Sequence, residues 1–118
     1  MLKTTSLVSN SPEETFALGQ NIASLLSPGS VVALKGTLGS GKTCLAKGIA
    51  RGLGITDIIT SPTYTIISEY PASTTLFHID AYRLNGDKDF EDIGGPEIIN
   101  SCGISIIEWS ERIPNSLP

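Results

Sequence analysis

The stretch "GTLGSGKT" at residues 36–43 decides how the rest of the chain is read. Three glycines, a lysine and a threonine crowd eight residues directly behind the β-prone run "SVVAL" at 30–34. Glycine lets the backbone take conformations that a side chain forbids, so several N–H groups can converge on one anion. The spacing Gly36-x-x-x-x-Gly41-Lys42-Thr43, set between an expected strand and an expected helix, is the phosphate-binding P-loop pattern in its required context. A helix opening at Gly41 adds its free amides and positive dipole end to the same spot. Lys42 then reaches the β- and γ-phosphates as a point charge, and the Thr43 hydroxyl ligates Mg2+. The cradle so defined consists of Gly36, Leu38, Gly39, Ser40, Gly41, Lys42, Thr43 and Cys44. The competing reading, a glycine turn that merely links two elements, needs a chance match of roughly 0.4% from ordinary residue frequencies.

The flanking segments supply the elements. "SPEETFALGQNIASLL" at 11–26 reads as an amphipathic helix with Ser11 as its cap and Pro12 in its first turn. Glu13 and Glu14 suit its positive end, and Phe16, Ile22, Ala23 and Leu26 recur at helical spacing. "SVVALKG" at 30–36 has the nearly continuous apolar character of a strand covered on both faces. The segment 42–54 is the next helix, with Leu45, Ile49 and Leu53 on one side and Gly54 as its stop. Residues 57–70 hold two β-prone pieces split by "SPT". Strands are expected at 74–80 and 104–109, with two short helical pieces around a Gly-Gly-Pro break in 85–100. The alternation predicts an α/β chain: a three-layer P-loop NTPase-like fold with a mostly parallel sheet, forming one domain over 1–118.

Both late strands end in an acid, Asp80 after "LFHI" and Glu108 after "ISII". A lone acid at a strand end is commonly a solvated turn residue. Two beside a P-loop strand read differently, because open α/β sheets bind ligands at the carboxyl ends of their strands. Spacing alone leaves open which acid holds the metal and which orients water. "SPTYT" at 61–65 is either a plain turn or a switch loop that senses the γ-phosphate. His78 reads as a satisfied core histidine rather than a catalytic base. Trp109 is core or a partner anchor, and the Cys44 thiol reads as a packing group.

The bulk numbers set the limits. At 118 residues the chain supports one modest core. A formal net charge of −4 argues against a stand-alone nucleic-acid binder, whose affinity rests on neutralising phosphates. Two cysteines, Cys44 and Cys102, make no disulfide framework and lack metal-type spacing. No apolar run suits a signal peptide or a membrane span, so a cytoplasmic protein without membrane contact is expected.

Taken in order and at these intervals, "GTLGSGKT", "SPTYT", "HIDAYRL" and "IIEW" resemble the TsaE (YjeE) family, from about Ser11 to Pro118. That resemblance implies a small ATPase of tRNA threonylcarbamoyladenosine (t6A) biosynthesis. It implies slow ATP hydrolysis alone and action with the TsaB–TsaD complex on adenosine 37 of ANN-decoding tRNAs, with tRNA met only indirectly. It places Lys42, Asp80 and Glu108 in catalysis, Thr43 and Glu108 at Mg2+, Asp80 near the attacking water, and Ser61 to Thr65 as the switch-like segment. It also implies further strands after the Glu-Trp pair. The sequence given stops at Pro118, so a fold shortened at its C-terminus, with a sheet edge open for pairing, is expected.

Two rivals stand beside this reading. A small P-loop kinase ordinarily closes an arginine-bearing lid over the phosphates, and Arg51, Arg83 and Arg112 are too scattered to offer one. A nucleotide-gated binding module, with incidental hydrolysis, is the other. All three readings share the cradle, so Lys42→Ala is expected to abolish nucleotide binding by equilibrium dialysis; unchanged binding would remove the common premise.

Overall fold

The computed structural model describes residues 10–35, 41–56 and 66–118, without the side chains of Lys42 and Thr43. Its first helix, α1, spans Pro12–Ala23 and starts as the sequence dictates. The Ser11 side chain accepts the Glu14 N–H at 3.1 Å, while the Glu14 carboxylate takes the Asn10 N–H at 2.7 Å. These reciprocal bonds satisfy amides that the helix itself leaves open. Strand β1 follows at Val31–Leu34, and α2 at Lys42–Gly52. Strand β2 is Ile67–Tyr70 and β3 is Leu76–Asp80. Short helices α3, Asp87–Asp92, and α4, Gly95–Ile99, precede β4 at Ile104–Glu108.

The described sheet has the order β1-β4-β3-β2. β4 pairs in parallel with both β1 and β3, and only the β2–β3 pair is antiparallel. The mostly parallel sheet is therefore as expected, and its two faces are separately covered. Leu34, Leu76, Ile104 and Ile106 pack with Ala23, Ala46, Ile49 and Ala50 from α1 and α2. Ile79 and Ile107 point the other way, into a second cluster with Leu84, Phe90, Ile99 and Ile113. Helices on both faces of one sheet make three layers. Two further 3-10 turns, Ala81–Arg83 and Ser110–Arg112, had no clear sequence signal.

All five residues of β4 are buried, as the apolar run "ISIIE" foretold. β1 departs from its reading, because Ala33 is exposed. The reason is position: β1 ends the described sheet, whereas β4 lies inside it. The tail after β4 is also less loose than a run of turn residues suggests. Ile113 is fully buried, and the Asp87 carboxylate accepts from the Asn115 N–H at 3.1 Å and the Ser116 hydroxyl at 2.6 Å.

The α1–α2 contact depends on glycine. A β-carbon at Gly48 would run into the Phe16 carbonyl oxygen, and one at Gly19 would sit 2.5 Å from the Leu45 carbonyl. The two backbones meet with no room for a methyl group. In an open helix Gly→Ala gains about 1 kcal/mol. Here the clash outweighs that gain, and Gly48→Ala is expected to lower stability by about 1–3 kcal/mol in urea unfolding. The neighbouring Lys47→Ala, at an exposed position, should stay within about 0.5 kcal/mol of the parent.

Candidate functional site

The register of three parallel strands builds the site. Leu34 at the end of β1 and Asp80 at the end of β3 both pair with Glu108 at the end of β4. Both acids thus stand at one level, with Glu108 beside the end of β1 and Asp80 one strand further along the sheet. Gly41 caps α2 with φ 90° and ψ 9°, a left-handed conformation that side chains rarely adopt. Among the described residues no side-chain hydrogen bond caps α2, and the first amides of a helix, which have no partner within it, suit an external acceptor.

Glu108 is 5% exposed and belongs to the buried strand. Taking a carboxylate out of water costs several kcal/mol unless its oxygens find partners. One partner is His78, whose Nε2 lies 2.5 Å from Glu108 Oε2. A hydrogen bond to a charged group returns about 1.5–3 kcal/mol, and an orphaned buried polar atom costs about 1–3. His78 carries such an orphan: its Nδ1 has no partner among the described residues. The pair therefore gains little net stability.

Asp80 is half-buried, and its Oδ1 accepts the Tyr82 N–H at 3.0 Å, capping the 3-10 turn at Ala81–Arg83. Among the described residues no lysine or arginine pairs with either acid; Glu108 meets His78, and the exposed Lys88 meets Asp92. Two oxygen-donor carboxylates at neighbouring strand ends fit a hard divalent cation such as Mg2+. No cluster of three or more His, Cys, Asp or Glu side chains suited to a metal occurs among the described residues.

The chain leaves β4 through a constrained turn. Trp109 has φ 59° and ψ 41°, the one left-handed non-glycine among the described residues. Its ring lies 4.9 Å from the Tyr82 ring at 53°, and the Arg112 guanidinium sits 5.2 Å from the Tyr82 ring centre. Ser110 is fully buried, and its hydroxyl donates to the Leu34 carbonyl at 3.2 Å. The turn after β4 is thereby fastened to the end of β1, just ahead of the glycine-rich stretch.

Of the residues singled out in the sequence, Asp80 and Glu108 are brought level, and Gly41 and half-buried Cys44 stand at the start of α2. Gly36, Leu38, Gly39, Ser40 and the segment 61–65 lie outside the described residues, as do the side chains of Lys42 and Thr43. His78 is buried as expected but only half satisfied. Trp109 both packs on the second core cluster and lies tilted against Tyr82. Ser110 was missed; a serine behind a Glu-Trp pair carries no local signal. His78 had a faint one, since the i, i+2 spacing of "HID" puts it on the same strand face as Asp80.

A three-layer α/β fold with a G-x4-G-K-T sequence joining β1 to a helix, and acids at the two neighbouring strand tips, defines a P-loop nucleotide-binding protein. Comparison with known proteins narrows the class. The family model described as "Threonylcarbamoyl adenosine biosynthesis protein TsaE" matches residues 9–118. The Treponema pallidum (strain Nichols) tRNA threonylcarbamoyladenosine biosynthesis protein TsaE is 48% identical over 111 residues, covering 94% of this chain and 82% of that protein. Its Bacillus subtilis (strain 168) counterpart is 44% identical over 108 residues, covering 91% and 67%. The crystal structure of Bacillus subtilis YdiB is similar with a TM-score of 0.75 and 38% identity, over 93% of this chain and 67% of that one. The chain belongs to the TsaE family.

The Ser110–Leu34 bond is open to test. Ser110→Ala leaves the buried carbonyl without this donor, and a loss of about 1 kcal/mol in urea unfolding is expected. Nucleotide affinity should fall with it, because the end of β1 is no longer fastened; unchanged affinity and stability would mean that the bond fastens nothing.

Proposed function

We propose that the chain is a Mg2+-dependent ATPase that serves threonylcarbamoylation of adenosine 37 in ANN-decoding tRNAs, acting with a TsaB–TsaD-type complex. The observation that carries the reading is the level placement of Asp80 and Glu108 at the ends of β3 and β4, with Glu108 paired to the last residue of β1. Membership of the TsaE family and the names of its relatives support the pathway. One P-loop ATPase domain over 1–118 accounts for the sequence.

In this reading the amides at the start of α2, with Gly36 through Cys44, bind the triphosphate, and Lys42 offsets charge on its outer phosphates. Thr43 and Glu108 would hold Mg2+, which would supply positive charge against the phosphates. Asp80 orients the attacking water, its own carboxylate steadied by the Tyr82 N–H. Ser61 to Thr65 responds to the terminal phosphate. The partner is a protein complex, since a net charge of −4 disfavours direct capture of tRNA. Among the described residues no helix is long and apolar enough to cross a membrane, and the place of work proposed is the cytoplasm.

Phosphate release under steady-state conditions tests the assignment. Weak basal turnover that rises on adding TsaB and TsaD is expected. Asp80→Asn should lower kcat by about 100-fold or more while nucleotide affinity stays within a few-fold. A rate indifferent to both the partners and the substitution would instead support a nucleotide-gated binding module.

A further inference from the structure

We propose that His78 is a positioning residue: its Nε2–H holds the Glu108 carboxylate in the orientation that receives the divalent cation. The inference rests on the role of Glu108 at the metal proposed above. It goes beyond that reading by giving a task to a residue first taken for core.

The geometry is specific. His78 pairs with Ile106 across the β3–β4 ladder, one pleat before the level shared by Asp80 and Glu108. From there its ring reaches Glu108 on the neighbouring strand, Nε2 to Oε2 at 2.5 Å. An ionised carboxylate only accepts hydrogen bonds, so the proton of this contact belongs to Nε2. A glutamate has three rotatable side-chain bonds; anchoring one oxygen to a ring locked in the core fixes how the other is presented. Metal-ligating carboxylates are commonly held by such a hydrogen bond from behind.

Core packing does not account for the ring. His78 is fully buried, flanked on its strand face by Leu76 and opposite Ile106, where an aliphatic side chain would leave no polar atom stranded. Instead, among the described residues, Nδ1 is without a partner and the only polar contact of the ring is Glu108. What the histidine adds over a leucine is control of that carboxylate.

The test is a Mg2+ titration of binding of a fluorescent ATP analogue, run beside the same binding in EDTA, for the parent, His78→Leu, His78→Gln and Glu108→Gln. His78→Leu is expected to raise the Mg2+ concentration for half-maximal effect by about tenfold or more. Its affinity in EDTA should not change. His78→Gln keeps an N–H donor of similar reach and should recover most of the loss. A folded His78→Leu that titrates like the parent overturns the inference if Glu108→Gln shifts the Mg2+ dependence. If Glu108→Gln shifts nothing, the metal role of Glu108 itself fails. Should His78→Leu not fold, the parent decides, because His78 is the only histidine in the chain and its ring 15N signals need no assignment. A proton on Nε2, with ring signals that move when Mg2+ joins the nucleotide complex, supports the proposal. A proton on Nδ1 alone, or signals indifferent to Mg2+, refutes it.

Discussion

One strand sets the functional end of this molecule. β4 is hydrogen-bonded in parallel to β1 on one side and β3 on the other, and the register of both pairings meets at Glu108. Parallel pairing brings three carboxyl ends to one edge. The apolar residues of β4, buried on both faces, hold that register, because a one-residue slip would turn Ile106 and Ile107 to the wrong layers. Everything that matters at the site follows from this alignment: the acids are neighbours, and the chain leaves β1 directly beside Glu108.

A second constraint acts across the gap between β1 and α2. The glycine contacts of α1 and α2 bring those helices close over one face, which fixes where the first turn of α2 stands. The Ser110–Leu34 hydrogen bond fastens the opposite side, tying the turn after Glu108 to the end of β1. The glycine-rich stretch thus leaves one braced point and arrives at another. Trp109 takes a left-handed backbone where that bracing begins, a conformation that costs about 1–3 kcal/mol for a bulky residue and persists only when its surroundings enforce it. Its contacts with Tyr82 and the second core cluster are that enforcement.

What was legible in the sequence was what local chemistry writes. A Ser-Pro-Glu-Glu start, a glycine stop at Gly54 and an acid closing an apolar run each declare themselves within a few residues. The candidate site was readable to the same extent, since Gly41, Asp80 and Glu108 each sit at the end of an element. Strand order was not readable, because a buried strand shows the same apolar face to any neighbour. Hence β1 was taken to be covered on both sides, although it ends the described sheet. The links that organise the site were hidden for the same reason. His78 and Glu108 are 30 residues apart, Ser110 and Leu34 are 76 apart, and neither pair has a motif of its own.

The most direct measurement is a crystal structure of the full chain with Mg2+ and a non-hydrolysable ATP analogue. Expected is a triphosphate at the first amides of α2, with the ion held by Thr43 and Glu108 and the Asp80 carboxylate turned toward the terminal phosphate. A nucleotide seated elsewhere, or an ion with neither carboxylate facing it, would contradict the proposed site.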